Sequence, residues 1–167
     1  MKSAPRIFPD RIFREYVAEN IDKNQDGLLS AEEIAAVTKL DVSLLSRLDS
    51  AGVSATELSQ YGIASLQGIE FFTALEVLNC SVNKLTELDV SKNTKLKELE
   101  CYSNQLKTLD ISENINLELL NCSINQLTEL DISKNVNLKI IHCISNQLAT
   151  LDTSHNPKLE TLDCNCI

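Results

Sequence analysis

A short stretch near the start of the chain has the residue types and spacing of a calcium-binding loop. It spans residues 22–33 and fits the pattern D-x-[DN]-x-[DN]-G-x5-E, in which oxygen atoms surround the ion. Gly27 stands where this pattern needs a sharp turn. The oxygen donors are Asp22, Asn24, Asp26, Leu28 through its carbonyl, Ser30 directly or through water, and Glu33. The sequence therefore predicts one bound calcium ion.

The elements beside this loop distinguish an EF-hand from a polar turn that binds no metal. Before the loop, Asp10 can cap a helix that ends near Asn20 and carries its apolar residues on one face. After the loop, Ser30 and Glu33 have the spacing of a capping box at the start of a second helix. Helices on both sides favour the EF-hand. Because the sequence contains no second loop of this pattern, we expect the apolar face of this hand to cover the first coil of the repeats that follow.

Six cysteines are the other groups with reactive chemistry. Equivalent residues on neighbouring strands lie about 4.8 Å apart, whereas the Cβ atoms of a disulfide lie about 3.8 Å apart. A line of thiols also cannot surround a tetrahedral zinc ion. We therefore expect reduced thiols that pack as small apolar groups in a core. Cys166 falls outside the repeat phase and is the candidate for an exposed thiol. The five cysteines that recur at one fixed interval are Cys80, Cys101, Cys122, Cys143 and Cys164.

The two histidines do not indicate catalysis. His142 and His155 fall at different phases of the repeat, and no serine or cysteine has the companions of a catalytic triad. The sequence also has no glycine-rich phosphate loop. We therefore predict that the chain is not an enzyme and that His142 is a contact or solvated residue.

Residues 75–167 repeat the same motif at a constant interval, which is the signature of a solenoid. Every unit carries Asn, Asp and Ser residues that disfavour helix interiors. We expect a flattened coil with a parallel strand at residues 78–80 and an extended or turn-like opposite side. The asparagine that follows each strand, such as Asn83, should satisfy backbone groups of adjacent coils. The segment Asp89-x-Ser91 and its copies are predicted to be turns rather than acid/base pairs. The motif L-x-x-L-x-C-x-x-N starts at Leu75, Leu96, Leu117 and Leu138, and begins once more at Leu159.

Charge and hydropathy argue against two classes of partner. The formal net charge is -9, and the repeat block contains 8 Lys and 13 Asp plus Glu without a basic stripe. Binding to nucleic acid or to anionic membranes is therefore not expected. No segment approaches the roughly 18 apolar residues of a membrane span, and residues 1–5 lack the apolar run of a signal peptide. An intracellular protein and a secreted one whose signal is not in this chain both remain open.

The repeat motif and its lead-in, I-x-x-L-x-G-I-x-x-x-T-x-L at residues 63–75, resemble the internalins, bacterial surface proteins with a helical cap fused to leucine-rich repeats. The chain is similar to the members that carry a cysteine ladder. The resemblance implies an α/β solenoid, a right-handed leucine-rich repeat coil with a parallel β-sheet and a helical EF-hand-like N-terminal cap. We expect the cap at residues 1–42, a transition region completing the first coil at 43–74, and four full repeats plus a partial fifth at 75–167. The edge of that last coil would be open to end-to-end self-association.

The resemblance also implies a non-enzymatic scaffold, secreted or at the cell surface, that binds a protein or glycan on a host or neighbouring cell through its concave strand face. The residues support a scaffold because several outward strand positions are apolar where exposure favours charge. Ser81, Glu98, Glu100 and Ser123 are predicted to face outward beside them. A structural spacer of a larger surface protein and an intracellular interaction module are the alternatives. The predicted partner contacts are Tyr102, Leu119, Ile140, His142 and Ile144.

Overall fold

The computed structural model describes residues 8–44, 46 and 61–164. The first helix, α1, starts directly after the Asp10 cap, and α2 starts after the Ser30 capping box, as the sequence predicted. A short 3-10 helix at Ile69–Phe71 leads into the repeats. The helices and strands are α1 Arg11–Asn20, α2 Ala31–Ala35, β1 Lys39–Asp41, β2 Val77–Asn79, β3 Glu98–Glu100, β4 Leu119–Asn121, β5 Ile140–His142 and β6 Thr161–Asp163.

The six strands form one parallel sheet in the order in which they occur along the chain. From β2 onward, each strand pairs with the equivalent strand of the next repeat, so Leu78 lies beside Leu99 and Leu99 beside Leu120. β1 joins the same sheet, with Leu40 beside Leu78. The predicted parallel solenoid is therefore confirmed, and each coil contributes one strand of three residues.

One continuous core runs from the cap to the last coils. The middle residue of a strand points into it, and Leu78, Leu99 and Leu120 are fully buried. The ladder cysteines from Cys80 to Cys143 are buried and free, which confirms the prediction of reduced, packed thiols. Cys164 is half-buried at the last described strand. Stacking identical small groups at the same place in every repeat lets each coil cover the core of the next.

The asparagine that follows each strand binds the backbone of two coils at once. The Nδ2 of Asn104 donates to the carbonyls of Cys80 and Cys101, both at 3.1 Å. Its Oδ1 accepts from the Leu85 N–H at 3.0 Å. This side chain therefore pairs backbone groups that burial would otherwise leave unsatisfied. The predicted structural role of these asparagines is confirmed.

A second column of buried asparagines lies on the opposite side of the coils. The Nδ2 of Asn114 donates to the carbonyls of Val90 and Asn93, both at 3.0 Å. Its Oδ1 is buried and has no hydrogen-bond partner among the described residues. In the second column the side-chain amide nitrogen is therefore hydrogen-bonded but the amide oxygen is not, although the residue type and spacing match those of the first column.

The cap packs on the first coil through aromatic side chains. Phe8 stacks on Phe72 with ring centroids 6.2 Å apart and meets Phe13 edge-on at 5.3 Å. Asp10 connects the two regions, because its Oδ1 caps α1 while its Oδ2 accepts from the Ala64 N–H at 2.9 Å. The helical segment thus covers the apolar end of the solenoid, as expected for a terminal cap.

The expected boundaries at residues 42 and 74 stay predictions, and β1 at Lys39–Asp41 already belongs to the sheet. The transition region at 43–74 falls partly outside the described residues, and so does Cys166, the predicted exposed thiol. Among the described residues, no helix is long and apolar enough to cross a membrane.

Candidate functional site

The outward side of β1–β6 and of the residues that directly follow each strand, which we call the strand face, includes the residues that flank each buried strand centre. In β4 and β5 the two flanking positions are half-buried around a buried middle residue. Leu119 on β4 pairs with Ile140 on β5, and Asn121 pairs with His142. The strand register therefore gathers residues that lie one full repeat apart in sequence into one patch.

The five predicted contact residues fall on three neighbouring coils. Tyr102, Leu119, Ile140 and His142 are half-buried. Ile144 is 38% exposed, just beyond β5. They bring an aromatic ring and three aliphatic side chains to the surface, so that a single partner could cover several of them.

Two serines predicted to face outward are buried instead. Ser81 is 0% exposed and Ser123 is 7% exposed. Tyr102 and Ile144 hold the equivalent positions on the two coils beside Ser123, and Tyr102 holds the equivalent position on the coil after Ser81. Both serines are therefore less exposed than outward-facing positions usually are, because alternation along one strand does not take the neighbours across strands into account.

His142 has a partner on the adjacent strand. Its Nδ1 lies 2.7 Å from Oδ2 of Asp163 on β6. The pair joins β5 to β6 at the exposed side of the sheet. It holds the imidazole in one orientation, which suits a contact residue.

A column of alternating charge precedes the strands. Lys97 Nζ lies 2.8 Å from the Glu76 carboxylate, and Lys139 pairs in the same way with Glu118. The lysine in each pair lowers the pKa of its glutamate, and the glutamate raises the pKa of the lysine. The charges of this column therefore neutralise one another within the protein. The alternation from Glu76 through Glu160, with one charge in each repeat, was visible in the sequence and could have predicted the pairs.

Two acidic residues on β3 have no such partner. Glu98 is exposed and Glu100 is half-buried, and neither carboxylate makes an ion pair or hydrogen bond with the described residues. Both flank Leu99 on the strand face and precede Tyr102 on the same coil. Sequence reasoning placed them outward but did not include them in the contact set. The signal was available, because the equivalent residues on the other repeat strands are neutral, except for the acidic Asp163.

An apolar residue in a strained conformation also lies beside the patch. Ile124 has a φ of 55° and is 51% exposed. Its N–H donates to the Ile144 carbonyl at 2.8 Å, which places the two residues next to each other. A β-branched side chain at positive φ is unfavourable, and such strain persists where the surrounding structure fixes the backbone. Val82, Ser103 and Ser145, at the same position in the other repeats, also have a φ close to 55°, so the repeat rather than the residue type sets this conformation.

Side chains of the calcium-type loop, residues 22–33, accept hydrogen bonds from the backbone of the same loop. Oδ2 of Asp22 accepts from the Gly27 N–H at 2.8 Å. Asn24 accepts from the Asp26 N–H at 2.9 Å, and Asp26 accepts from the Leu28 N–H at 2.8 Å. These bonds fix the first, third and fifth donor positions on one turn.

Glu33 connects the end of this loop to its beginning. One carboxylate oxygen accepts from the Lys23 N–H at 2.8 Å, and the other accepts from the Ser30 N–H at the same distance. Hydrogen bonds from Ser30, and then from Lys23 and Asn24, lower the pKa of Glu33. The residue is therefore an anion that lies across the mouth of the loop.

Asp22 carries the loop's one buried oxygen without a partner among the described residues. The side chain is 5% exposed, and its Oδ1 receives no hydrogen bond. A buried carboxylate oxygen without a donor is costly unless a cation or proton meets it. In the described residues, no three His, Cys, Asp or Glu side chains are grouped closely enough to hold a metal ion. The donor types and their order are those of the calcium pattern in the sequence, but Glu33 is held by backbone N–H groups.

The outer side of the coils holds shallow grooves but no convergent chemistry in the part of the chain that the structure describes. Two grooves of about 680 and 660 Å³ are lined in part by Asp89, Asp110, Asp131 and Asp152. Each of these carboxylates accepts from the N–H of the serine that follows in its Asp-x-Ser segment, which lowers its pKa. The prediction that Asp-x-Ser segments are turn structures rather than acid/base pairs is confirmed.

The buried thiols of the cysteine ladder are poorly reactive. Burial raises the pKa of Cys80 to about 12 and raises the pKa values of Cys101 and Cys122 well above the ordinary range. Because the thiolate is the reactive form, these groups contribute packing rather than chemistry.

Comparison with known proteins gives relatives of one kind. No protein-family model matches the chain. Internalin J of Listeria monocytogenes serotype 4b (strain F2365) is 37% identical over 87 residues, which cover 52% of this chain and 8% of the relative.

Solved structures extend the likeness to nearly the whole chain. The functional domain of InlJ from Listeria monocytogenes, which includes a cysteine ladder, superimposes with a TM-score of 0.81 at 36% identity. That match covers 98% of this chain and 33% of that one. The internalin InlF of the same species gives a TM-score of 0.77 at 25% identity, covering 98% of this chain and 46% of that one. This chain thus spans less than half the length of either structure, and it is an internalin-like leucine-rich repeat protein.

Proposed function

We propose that this chain is a non-enzymatic binding scaffold, secreted or displayed on a bacterial surface, that recognises a protein or glycan through its strand face. The observation that carries the proposal is the patch of Tyr102, Leu119, Ile140 and Ile144, which lies on three adjacent coils and remains accessible. Apolar side chains gathered on one face of a protein mark interaction sites more often than scattered ones do, and these four share the outward side of the sheet. The resemblance to internalins supports a binding role rather than catalysis.

The size of the patch decides how such a site can work. A standard interface buries about 800 Å² on each partner, and a few central aromatic or aliphatic anchors carry most of its binding energy. Tyr102 can serve as the anchor, since its ring offers a large apolar surface and its hydroxyl a polar end. His142 and Asp163 then form part of the polar rim.

The test is a pull-down from host cells with the wild type beside a Tyr102→Glu, Ile140→Lys double variant. A matched control, Thr128→Glu with Ala149→Lys, makes the same charge changes at exposed positions on the outer side of the coils. We expect the double variant to lose the partners that the wild type and control retain, with equal melting temperatures for all three. Capture of the same partners by all three forms would remove the site from the strand face.

Two alternatives give different results in that experiment. A structural spacer captures no specific partner in any form. An intracellular interaction module captures partners from the producing bacterium and none from host cells. A glycan ligand is recognised by loss of capture after enzymatic deglycosylation of the host extract.

We also propose that residues 22–33 bind one calcium ion, which stabilises the cap. The supporting observation is the buried Oδ1 of Asp22, which has no donor among the described residues. The shell would consist of Asp22, Asn24, Asp26 and Glu33, with the Leu28 carbonyl and Ser30 completing it. Calcium would supply the positive charge around which these oxygens gather, and Glu33 must turn from the N–H groups of Lys23 and Asn24 to close the shell.

A site with three carboxylates suits an affinity between about micromolar and millimolar. At calcium concentrations 100 times the dissociation constant, binding adds about 2.7 kcal/mol to the free energy of unfolding. The measurement is the melting temperature in calcium and in chelator. Glu33→Gln removes the closing charge but preserves a residue suited to the capping box. The neighbouring Glu32→Gln is the control, and equal melting temperatures in calcium and chelator for the wild type would contradict the proposal.

Self-association through β6 stays a prediction. Its central residue, Leu162, is 40% exposed, unlike the buried centres of β2–β5. If copies of the chain pair at this edge, sedimentation should show a concentration-dependent dimer that Leu162→Lys abolishes. A monomer at all concentrations would contradict it.

A further inference from the structure

We infer that the partner of the strand face is a protein segment that presents an apolar side chain flanked by lysine or arginine. This inference rests on the proposed binding function of that face. Two features carry it, an acidic pair on β3 without partners among the described residues and an apolar notch next to that pair. Both lie on the same side of the sheet, within the span of one bound segment.

The acidic pair is a specific exception on this surface. Glu76 and Glu118, in the column before the strands, are each neutralised by a lysine on the next coil. Glu98 and Glu100 are on the coil between those two glutamates, and their carboxylates have neither a lysine nor a hydrogen-bond donor among the described residues. Their negative charge is therefore available to a partner, and a basic side chain is the group that complements it.

The notch follows from side-chain size across adjacent coils. Tyr102, Ser123 and Ile144 hold equivalent positions on three successive coils. Two strand spacings separate the outer two by about 10 Å. Ser123 between them is only 7% exposed, so it forms a floor and the larger residues form walls. About 10 Å separates the strands rather than the side chains themselves, so this recess suits the tip of one aliphatic or aromatic side chain.

The relative position of the two features fixes the order of groups in the partner. Glu100 and Tyr102 belong to the same coil and are separated by Cys101, which points into the core. A side chain seated against Tyr102 therefore has Glu100 beside it and Glu98 one step further along the strand. Sulfated or sialylated glycans carry negative charge and are disfavoured here, because like charges oppose each other across an interface.

The test is selection of a random dodecapeptide library, displayed on phage, on the immobilised full chain. We expect enrichment of sequences in which an aliphatic or aromatic residue stands next to lysine or arginine. The most enriched peptide is then synthesised and its dissociation constant measured at low and high salt. Heparin serves as the anionic polysaccharide probe and should not compete.

The decisive variant is Glu98→Lys with Glu100→Lys. It should weaken the selected peptide about tenfold, the effect of losing two exposed ion pairs, and should reduce the salt dependence. The matched control, Glu87→Lys with Glu129→Lys, changes the net charge equally on the outer side of the coils and should leave affinity within about twofold. Enrichment of acidic or uncharged peptides, or an unchanged affinity in the decisive variant, overturns the inference.

The same experiment separates this inference from the proposed function. If Tyr102→Glu with Ile140→Lys abolishes binding while the Glu98 and Glu100 reversal does not, the strand face binds but its partner is not basic. A selection that yields no peptide sensitive to any strand-face variant overturns both.

Discussion

Replacing one asparagine from each column by alanine should have very different costs, although the two residues look alike in sequence. Asn125 belongs to the column after the strands, and its Oδ1 accepts from the Leu106 N–H at 3.0 Å. Its Nδ2 donates to the carbonyls of Cys101 at 3.0 Å and Cys122 at 3.1 Å. Those two carbonyls keep a second donor, from Asn104 and Asn146. Asn125→Ala therefore removes the acceptor of the buried Leu106 N–H and leaves that donor unpaired.

Replacing Asn114, in the second column, should have the opposite effect on the number of unpaired buried groups. The Val90 and Asn93 carbonyls that it binds also accept from backbone N–H groups, at 2.9 and 3.0 Å, so they stay paired without it. Its own Oδ1 is already buried without a partner among the described residues. Asn114→Ala therefore removes an unsatisfied acceptor and creates no unsatisfied backbone group.

The difference between the two variants can be estimated. An orphaned buried donor costs about 1–3 kcal/mol, and each lost hydrogen bond about 1 kcal/mol. We expect about 3–5 kcal/mol of destabilisation for Asn125→Ala and about 0–2 kcal/mol for Asn114→Ala, since the relief of the Oδ1 offsets part of the loss. The cavity term is similar in both, because the same atoms are removed.

Urea unfolding followed by far-ultraviolet circular dichroism measures both values, and equal m-values verify that the same surface is exposed. A cost for Asn114→Ala equal to or above that for Asn125→Ala would refute this accounting. It would mean that the Oδ1 atoms of the second column have partners, such as buried water, that the hydrogen-bond pattern of the protein does not reveal.

Three further predictions concern the core thiols and the charged column. Cys122→Ser should lower the free energy of unfolding by about 1–3 kcal/mol, because a hydroxyl without a partner replaces an apolar thiol, and urea unfolding measures this. When the native protein is alkylated, the half-buried Cys164 should react before the buried Cys122. The free energy of unfolding should also fall as pH rises above about 9, because thiols of the unfolded chain ionise there while Cys80, with a pKa of about 12, stays protonated. The pairing of Glu118 with Lys139 lowers the pKa of the Glu118 carboxyl group. The ion pair therefore contributes to the free energy of unfolding above the ordinary glutamate pKa, and this contribution is lost as pH falls through the lowered pKa. The acid unfolding curve of Glu118→Gln should lack the contribution of this ion pair, and a curve identical to that of the wild type would contradict the prediction.

Most of the fold could be predicted because the period of the sequence is also the period of the structure. A leucine at the same place in every repeat fixes which residue of each coil meets which residue of the next, so Leu78, Leu99 and Leu120 lie in one row. The caps of α1 and α2 were also visible, since Asp10 and Ser30 form local hydrogen bonds that need no distant partner.

The candidate site was predictable only in part. The contact residues were identified by alternation along single strands, and all five lie on the strand face. The buried serines and the acidic pair were not identified, because burial and neutralisation at these positions depend on the side chains of adjacent coils. The partner of His142 was missed for the same reason, since Asp163 lies one full repeat away on the next strand.

By itself, then, the sequence determined what each coil does locally: its turns, caps, inward leucines and cysteines, and the donor order of residues 22–33. The tertiary structure decided which groups have a neighbour. Among the described residues it paired Lys97 with Glu76 and left Glu98 alone, and it satisfied Asn104 while leaving the Oδ1 of Asn114 without a donor. The physical reason is distance. A repeat fixes which residues recur, but hydrogen bonds and ion pairs form only within a few ångströms, and stacking alone determines which side chains come that close.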